Sequence, residues 1–278
     1  MNGVLSRRAE GIQLLRAHEE KLSCPHCAQQ VTVSEEGRIA CENNHSFDVA
    51  KQGYVNMLTH AVQSMYTKDL FTSRKTVLES GLYDDVQRTL ASYIENGAVV
   101  LDTGCGEGTH LARICEKSGA FGIGIDLAKE GIIEAARHYK KEAWIVGDLA
   151  KSPFPAATFD AILNILSPAN YDEFKRLLKP NGRVIKVVPA ERYLTELRQQ
   201  LFADSEKESY SNAQTVARFN EAFTHVEQQR VTTTMALTPE LVPHLLNMTP
   251  MGWHRDETKD ITLSHITIDV DVLIGTYK

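Results

Sequence analysis

Three cysteines and two histidines crowd a single short segment, "CPHCAQQVTVSEEGRIACENNH", residues 24–45. Cys24 and Cys27 have two residues between them, and Cys41 and His45 form a second close pair. Thiolate and imidazole donors in sets of four are what tetrahedral Zn2+ takes. Two closely spaced pairs, each on its own turn, supply such a set. His26 lies between the first two cysteines and is a competing donor. The Cys41/His45 pair mirrors the first pair, which favours His45 as the fourth ligand.

The element that must hold these groups is a hairpin. "QVTVSEEGRIAC" alternates Val31, Val33 and Ile39 about a Glu36-Gly37 turn. A unit of roughly 25 residues buries too little apolar surface to fold unaided, so the metal must supply much of its stability.

A second constellation begins at residue 98, "AVVLDTGCGEGTHLARI". A short apolar strand ends in Asp102. Glycines follow at 104, 106 and 108, and an apolar-periodic helix starts near Thr109. Strand, glycine turn and helix open a doubly wound nucleotide-binding fold. A glycine-rich turn alone is weak evidence, and the following segments decide. "FGIGIDLAKEGIIEAARHY" gives a second strand ending in Asp126, whose carboxylate is placed for both hydroxyls of a ribose. "AWIVGDLAKSPFPAATFDAILNILSP" gives a third strand ending at Asp148, then a fourth from about Phe159. Asp148 can accept from an exocyclic adenine amine, with Leu149 on the ring. "FKRLLKPNGRVIKVVP" adds a helix, a Pro180-Asn181-Gly182 turn and a fifth strand. Together they predict a class I, Rossmann-like methyltransferase that uses S-adenosylmethionine. Cys105 reads as a small loop residue and Cys115 as core. "ERYLTELRQQL" and "PELVPHLLNM" predict helices; "FTHVEQQRVTTTMALT" and "SHITIDVDVLIGTY" alternate as strands and would close the sheet as a hairpin. The expected architecture is α/β, with a mostly parallel sheet of seven strands behind a small zinc-ribbon-like unit.

The totals agree. The chain has 278 residues, 42% hydrophobic and 24% charged, enough for a packed domain of ordinary size plus a smaller unit. No apolar run reaches the roughly 18 residues a membrane span needs, and the N-terminus shows no signal-peptide pattern. Five cysteines, three of them clustered, suit a metal site in a reducing, cytoplasmic setting better than a disulfide framework. A formal net charge of −6 argues against indiscriminate coating of nucleic acid, although a local basic patch would suffice for an RNA enzyme. The expected division is an unassigned extension over 1–21, a zinc-binding domain over 22–49, a linker and helical region over 50–85, and the methyltransferase domain over 86–278.

From about residue 22 onward the chain resembles the bacterial 23S ribosomal RNA guanine-N1 methyltransferases, the RlmA family. The resemblance rests on Cys24, Cys27, Cys41 and His45, on "HSFDVAKQGYVNML", "SRKTVLESGLYDDV" and the cofactor motifs, on "SPANYDEFKRLLKPNGRVIKVVPAERYLTELR" and on "LLNMTPMGWH". It implies a zinc domain that helps to hold an RNA hairpin and methylation of a guanine in a stem-loop near the peptide exit tunnel. It further implies cofactor contacts at Tyr83, His110, Leu111 and Tyr193, and a dimer whose two zinc domains form an RNA cleft.

Neutral guanine carries a proton on N1, so a base within reach would assist. Candidates near the mouth are His110 and the side chains after the fourth strand, "NILSP" (164–168), where Asn164 could orient the base edge through its amide. Lys51, Tyr54, Asn56, Lys68, Arg74 and Lys75 are candidate phosphate and stacking contacts. Met251, Trp253 and His254 stand beside a Pro-Gly turn as a lid or base platform. Two rival readings are a methyltransferase for a small molecule or protein, and a zinc-ribbon binding module with an inactive domain. The ribbon and its linker weigh against the first, and the intact Asp102–Gly108 turn, Asp126 and Asp148 against the second.

Overall fold

The computed structural model describes residues 5–62, 65–202, 210–249, 251 and 261–277. Trp253 and His254 lie outside the described residues.

The chain opens with helix α1 (Arg7–Ala17), capped by Ser6, whose Oγ accepts from the Ala9 amide at 3.2 Å. Its buried residues, Ile12 and Leu15, join the apolar core of the ribbon. Arg8 Nε donates to the Val49 carbonyl at 3.0 Å on one side. On the other, Lys140 reaches Glu10 at 2.8 Å and His18 stacks on Phe121 with ring centroids 3.8 Å apart. The N-terminal extension is therefore a helix wedged between the ribbon and the larger sheet.

The ribbon is a three-stranded antiparallel sheet of β1 (Val31–Val33), β2 (Arg38–Cys41) and β3 (Ser46–Asp48). Val31, Val33 and Ile39 are buried, as their alternation predicts. Gly37 supplies the turn with φ +83°, a conformation most side chains avoid.

Among the described residues the main sheet holds eight strands. They are β4 (Val55–Asn56), β5 (Val99–Thr103), β6 (Phe121–Asp126), β7 (Ala143–Val146), β8 (Phe159–Ile165), β9 (Leu178–Pro189), β10 (His225–Ala236) and β11 (His265–Thr276), in the spatial order β10-β11-β9-β8-β5-β6-β7-β4. The seven expected strands are all present. The eighth, β4, comes from the "GYVNML" segment and pairs parallel to β7, Val55 opposite Ile145. Two residues are too short to leave a periodic signal, so only tertiary pairing reveals them. β4 through β9 run parallel, and the β10/β11 hairpin closes the sheet antiparallel.

Strands such as "VVLDT" and "AWIV" are apolar on both faces because helices cover both. One face carries α2 (Lys68–Glu79), α3 (Asp84–Ser92), α4 (Thr109–Ser118), α5 (Lys129–His138) and α9 (Leu241–Met248), packed through Val77, Leu90, Leu111, Ile132 and Leu245. The other carries α6 (Tyr171–Leu177) and α8 (Ala213–Ala222) through Phe174 and Phe219, and merges with the ribbon core. The remaining helix is α7 (Thr195–Phe202).

Candidate functional site

The four sequence-predicted metal ligands converge. The Sγ atoms of Cys24, Cys27 and Cys41 and a ring nitrogen of His45 all lie within 4.8 Å of one another. Cys27 and Cys41 Sγ are 3.7 Å apart, and His45 Nδ1 stands 3.4 Å from Cys24 Sγ and 3.6 Å from Cys41 Sγ. Zn–S bonds of about 2.3 Å in a tetrahedron put sulfur atoms about 3.8 Å apart, so the donor set fits Zn2+. His26 takes no place in the group. Its ring instead packs on His45, centroids 4.8 Å apart, and against Phe47.

The second site forms where β5, β6 and β7 end side by side. Asp102 is at the end of β5, and Gly104, Gly106 and Gly108 all adopt positive φ in the turn that follows. Tight space demands glycine at 108, because a Cβ there would enter the Trp144 ring. Asp126, at the end of β6, accepts from the Gly106 amide at 2.8 Å and the Ala128 amide at 2.7 Å. Each carboxylate oxygen retains a free lone pair, which is what a ribose diol needs. Asp148 lies two residues beyond β7 and caps the 3-10 turn Leu149–Lys151 by accepting from the Ala150 amide at 2.9 Å. Leu149 is half-buried beside it.

Around the turn, several buried polar atoms have no hydrogen-bond partner among the described residues: Asp102 Oδ1, both carboxylate oxygens of Glu107, His110 Nε2 and Gln87 Oε1, with Glu107 Oε2 ion-paired to Arg74 instead. Burial pushes the Asp102 carboxyl up to about 8, with Arg74 opposing. Burial, reinforced by Arg74 and Arg113, holds His110 well below the usual imidazole range, so it is neutral at pH 7. Its Nδ1 is 3.3 Å from Gln87 Nε2, and its ring stands edge-on to Tyr83 at 5.4 Å. Tyr83 in turn shares a hydrogen bond of 2.7 Å with Tyr193. Leu111 is fully buried on the first turn of α4. A pocket that leaves several buried donors and acceptors open is built for a polar ligand, since leaving such groups bare is costly. S-adenosylmethionine, with its charged amino-acid tail, ribose and adenine, fits that set.

Two residues here were not expected. Arg74 of α2 reaches the glycine turn and pairs with Glu107, Nε to Oε2 2.8 Å, with a geometry that is ionic rather than hydrogen-bonded. Glu107 itself stands inside the quoted "GCGEG" motif. Arg74 is among the candidate phosphate contacts of the sequence; it turns inward instead, and no local signal marks that course. Tyr54, grouped with it as a stacking contact, is likewise buried in the core, whereas Lys51, Asn56 and Lys68 are exposed. Lys75 pairs with Glu79 along α2.

Asn164, next to last in β8, is fully buried. Its Nδ2 lies 3.0 Å from Thr103 Oγ1, 2.7 Å from Ser167 Oγ and 2.8 Å from the Pro168 carbonyl. Its Oδ1 accepts from Lys186, whose Nζ also donates to the Ser167 carbonyl at 3.0 Å. Its amide is thus committed inside the protein, and none of it is left for a base edge. Lys186 is buried too, and desolvation lowers it to about 8. A lone lysine in "RVIKVV", a strand apolar on both sides, was the available sign of it. Cys105 and Cys115 are free buried thiols that pack in the core.

Comparison with known proteins agrees with this geometry. Residues 22–64 match the zinc-ribbon family described as RlmA, N-terminal, and residues 100–182 match a methyltransferase domain family. The Bacillus subtilis (strain 168) protein YxjB, whose name assigns it to the 23S rRNA (guanine-N1)-methyltransferases, is 39% identical over 269 residues, 91% of this chain and 95% of the relative. A 23S rRNA (guanine(748)-N1)-methyltransferase of Streptomyces fradiae is 32% identical, covering 84% of this chain and 86% of its own length. A methyltransferase of Haloferax volcanii, solved with the Trm112 methyltransferase activator, shares the fold at a TM-score of 0.52 and 17% identity, over 78% of this chain and all of its own. The chain belongs to the family of 23S rRNA (guanine-N1)-methyltransferases.

Proposed function

We propose that this protein methylates N1 of a guanine in a 23S rRNA hairpin, with S-adenosylmethionine as the donor and Zn2+ as a structural ion. One observation carries the reading. The ribbon is joined to the catalytic sheet by β4, which pairs with β7, the strand that leads to Asp148. The Met57 amide extends the ladder to the Val146 carbonyl at 2.8 Å. The metal unit is thereby held at the edge of the cofactor site, where an RNA held by one reaches the other.

When bound, S-adenosylmethionine supplies an electrophilic methyl group. The chain's work is to hold the donor and to place N1 against it. Asp126 takes the ribose hydroxyls, Asp148 and Leu149 take the adenine, and Gly104, Gly106 and Gly108 let the backbone approach. Asp102, His110, Leu111, Tyr83 and Tyr193 enclose the remaining end. For the N1 proton, His110 keeps an open nitrogen and a neutral ring. Asn164 acts instead by fixing the loop after β8. The target guanine must leave its stack to enter, which favours a loop over a helix.

We assign residues 22–49 to the zinc-binding unit, 50–85 to the linker and its helices, and 86–278 to methyl transfer. Residues 1–21 include the helix that braces the ribbon. Two copies in a dimer would face their ribbons across one RNA cleft, in the cytoplasm where ribosomal RNA is modified. No helix among the described residues is long and apolar enough to cross a membrane.

Incubation of the zinc-loaded protein with S-adenosylmethionine labelled on the methyl group, unmodified 23S rRNA and a cell extract tests the substrate class. Label in RNA is expected. Label confined to protein or small molecules would refute the reading.

A further inference from the structure

We propose that Arg74 is the anchor for the carboxylate of the amino-acid tail of S-adenosylmethionine, with Glu107 holding the guanidinium in position. The proposal rests on the reading of the glycine-turn pocket as the cofactor site.

The turn is rich in acid. Asp102, Glu107 and Asp126 all lie where Arg74 acts on their ionisation, and each is raised by burial and lowered by Arg74. Arg74 is the cation these groups share. It packs against the turn itself, since a Cβ built on Gly106 would stand 3.7 Å from Arg74 Nε and 3.3 Å from Phe71, one helical turn before it on α2.

The ligand's tail is a zwitterion. Its ammonium needs acceptors, and buried open acceptors exist at Asp102 Oδ1 and Gln87 Oε1. Its carboxylate needs donors. The two tyrosine hydroxyls at this end are hydrogen-bonded to each other. Arg74 has five N–H groups in a planar fork, and Glu107 meets that fork at Nε. Among the described residues the two Nη atoms meet no other hydrogen-bond or ion-pair partner, and the edge they form can take a carboxylate through two parallel hydrogen bonds. Glu107 is fully buried and sits in the turn, so it fixes the fork relative to the backbone that the ligand must contact. Lysine could offer the charge but not the two-pronged geometry.

The test compares three ligands by isothermal titration with the purified full chain: S-adenosylmethionine, its decarboxylated form, and 5′-methylthioadenosine. Wild type should bind the decarboxylated form about tenfold or more weakly than the parent, the size of a charge-assisted pair. Arg74→Gln should weaken S-adenosylmethionine about ten- to a hundredfold and leave the two ligands without a carboxylate within about threefold. Arg74→Lys should fall between. Circular dichroism and zinc content check the fold of each variant, and the wild-type preference needs no variant. Equal wild-type affinity for the carboxylated and decarboxylated ligands would overturn the proposal. So would an Arg74→Gln loss of the same factor for all three, which would mark α2 as general packing. Wild type that binds none of the three would overturn the cofactor-site reading itself, and the Arg74 assignment with it.

Discussion

The phenolic oxygens of Tyr83 and Tyr193 lie 2.7 Å apart although 110 positions separate them in the chain. The bond joins the residue that precedes α3 to the segment that follows β9, across the buried end of the cofactor site. Burial raises both phenols above their usual range, so neither ionises at neutral pH. Removal of one hydroxyl leaves the other bare. Tyr83→Phe and Tyr193→Phe should each cost about 1 kcal/mol in unfolding free energy, and the double variant less than the sum. Urea denaturation of the four proteins measures this coupling; strictly additive losses would contradict it.

Asp102 makes stability depend on pH in a stated direction. Its folded pKa of about 8 stands above the ordinary 3.8, because burial disfavours the charge. A raised acid contributes its full stability below the unfolded pKa and loses it as pH climbs towards the folded one. The stability of wild type relative to Asp102→Asn should therefore fall between about pH 4 and pH 8 and level off above. Thermal melts of the cofactor-free proteins across that range read it. Parallel pH profiles would show that Asp102 is already ionised.

Zinc and cofactor act through separate cores of contact. Chelation, or Cys24→Ser, should loosen the β1–β3 ribbon, since a unit of this size draws much of its stability from its metal. RNA binding should be lost with it, while affinity of the folded remainder for S-adenosylmethionine changes by about twofold or less. Filter binding and titration calorimetry on the same samples separate the two. A matched loss of both would refute the division.

Asn164 ties Thr103, at the brink of the glycine turn, to Ser167, Pro168 and Lys186. Asn164→Ala would leave the buried Lys186 ammonium with the Ser167 carbonyl as its remaining hydrogen-bond partner among the described residues. The expected cost is about 2–4 kcal/mol of unfolding free energy. Denaturant titration checks it, and a loss below about 1 kcal/mol would show that the network carries little.

The metal ligands and the glycine turn were legible because each is a local pattern. Cys24 and Cys27 announce themselves by spacing, and Asp102, Asp126 and Asp148 by their place at successive strand ends. What stayed hidden depends on packing between distant segments. Nothing around Arg74 distinguishes it from a surface cation; its inward course is set by α2 lying over Gly106. Tyr54 looked like a stacking residue in a linker, yet its segment supplies β4 and draws it into the core. Asn164, expected just after the fourth strand, lies inside β8, and its commitment to Lys186 is set by strand register, Asn164 opposite Lys186.

Primer extension on 23S rRNA incubated with the protein and S-adenosylmethionine tests the central claim most directly. A methyl group on N1 blocks base pairing, so the account predicts one new stop at a guanine in a hairpin loop, dependent on both protein and donor. Methylated RNA without such a stop, or no transfer to RNA by the zinc-loaded protein, would contradict it.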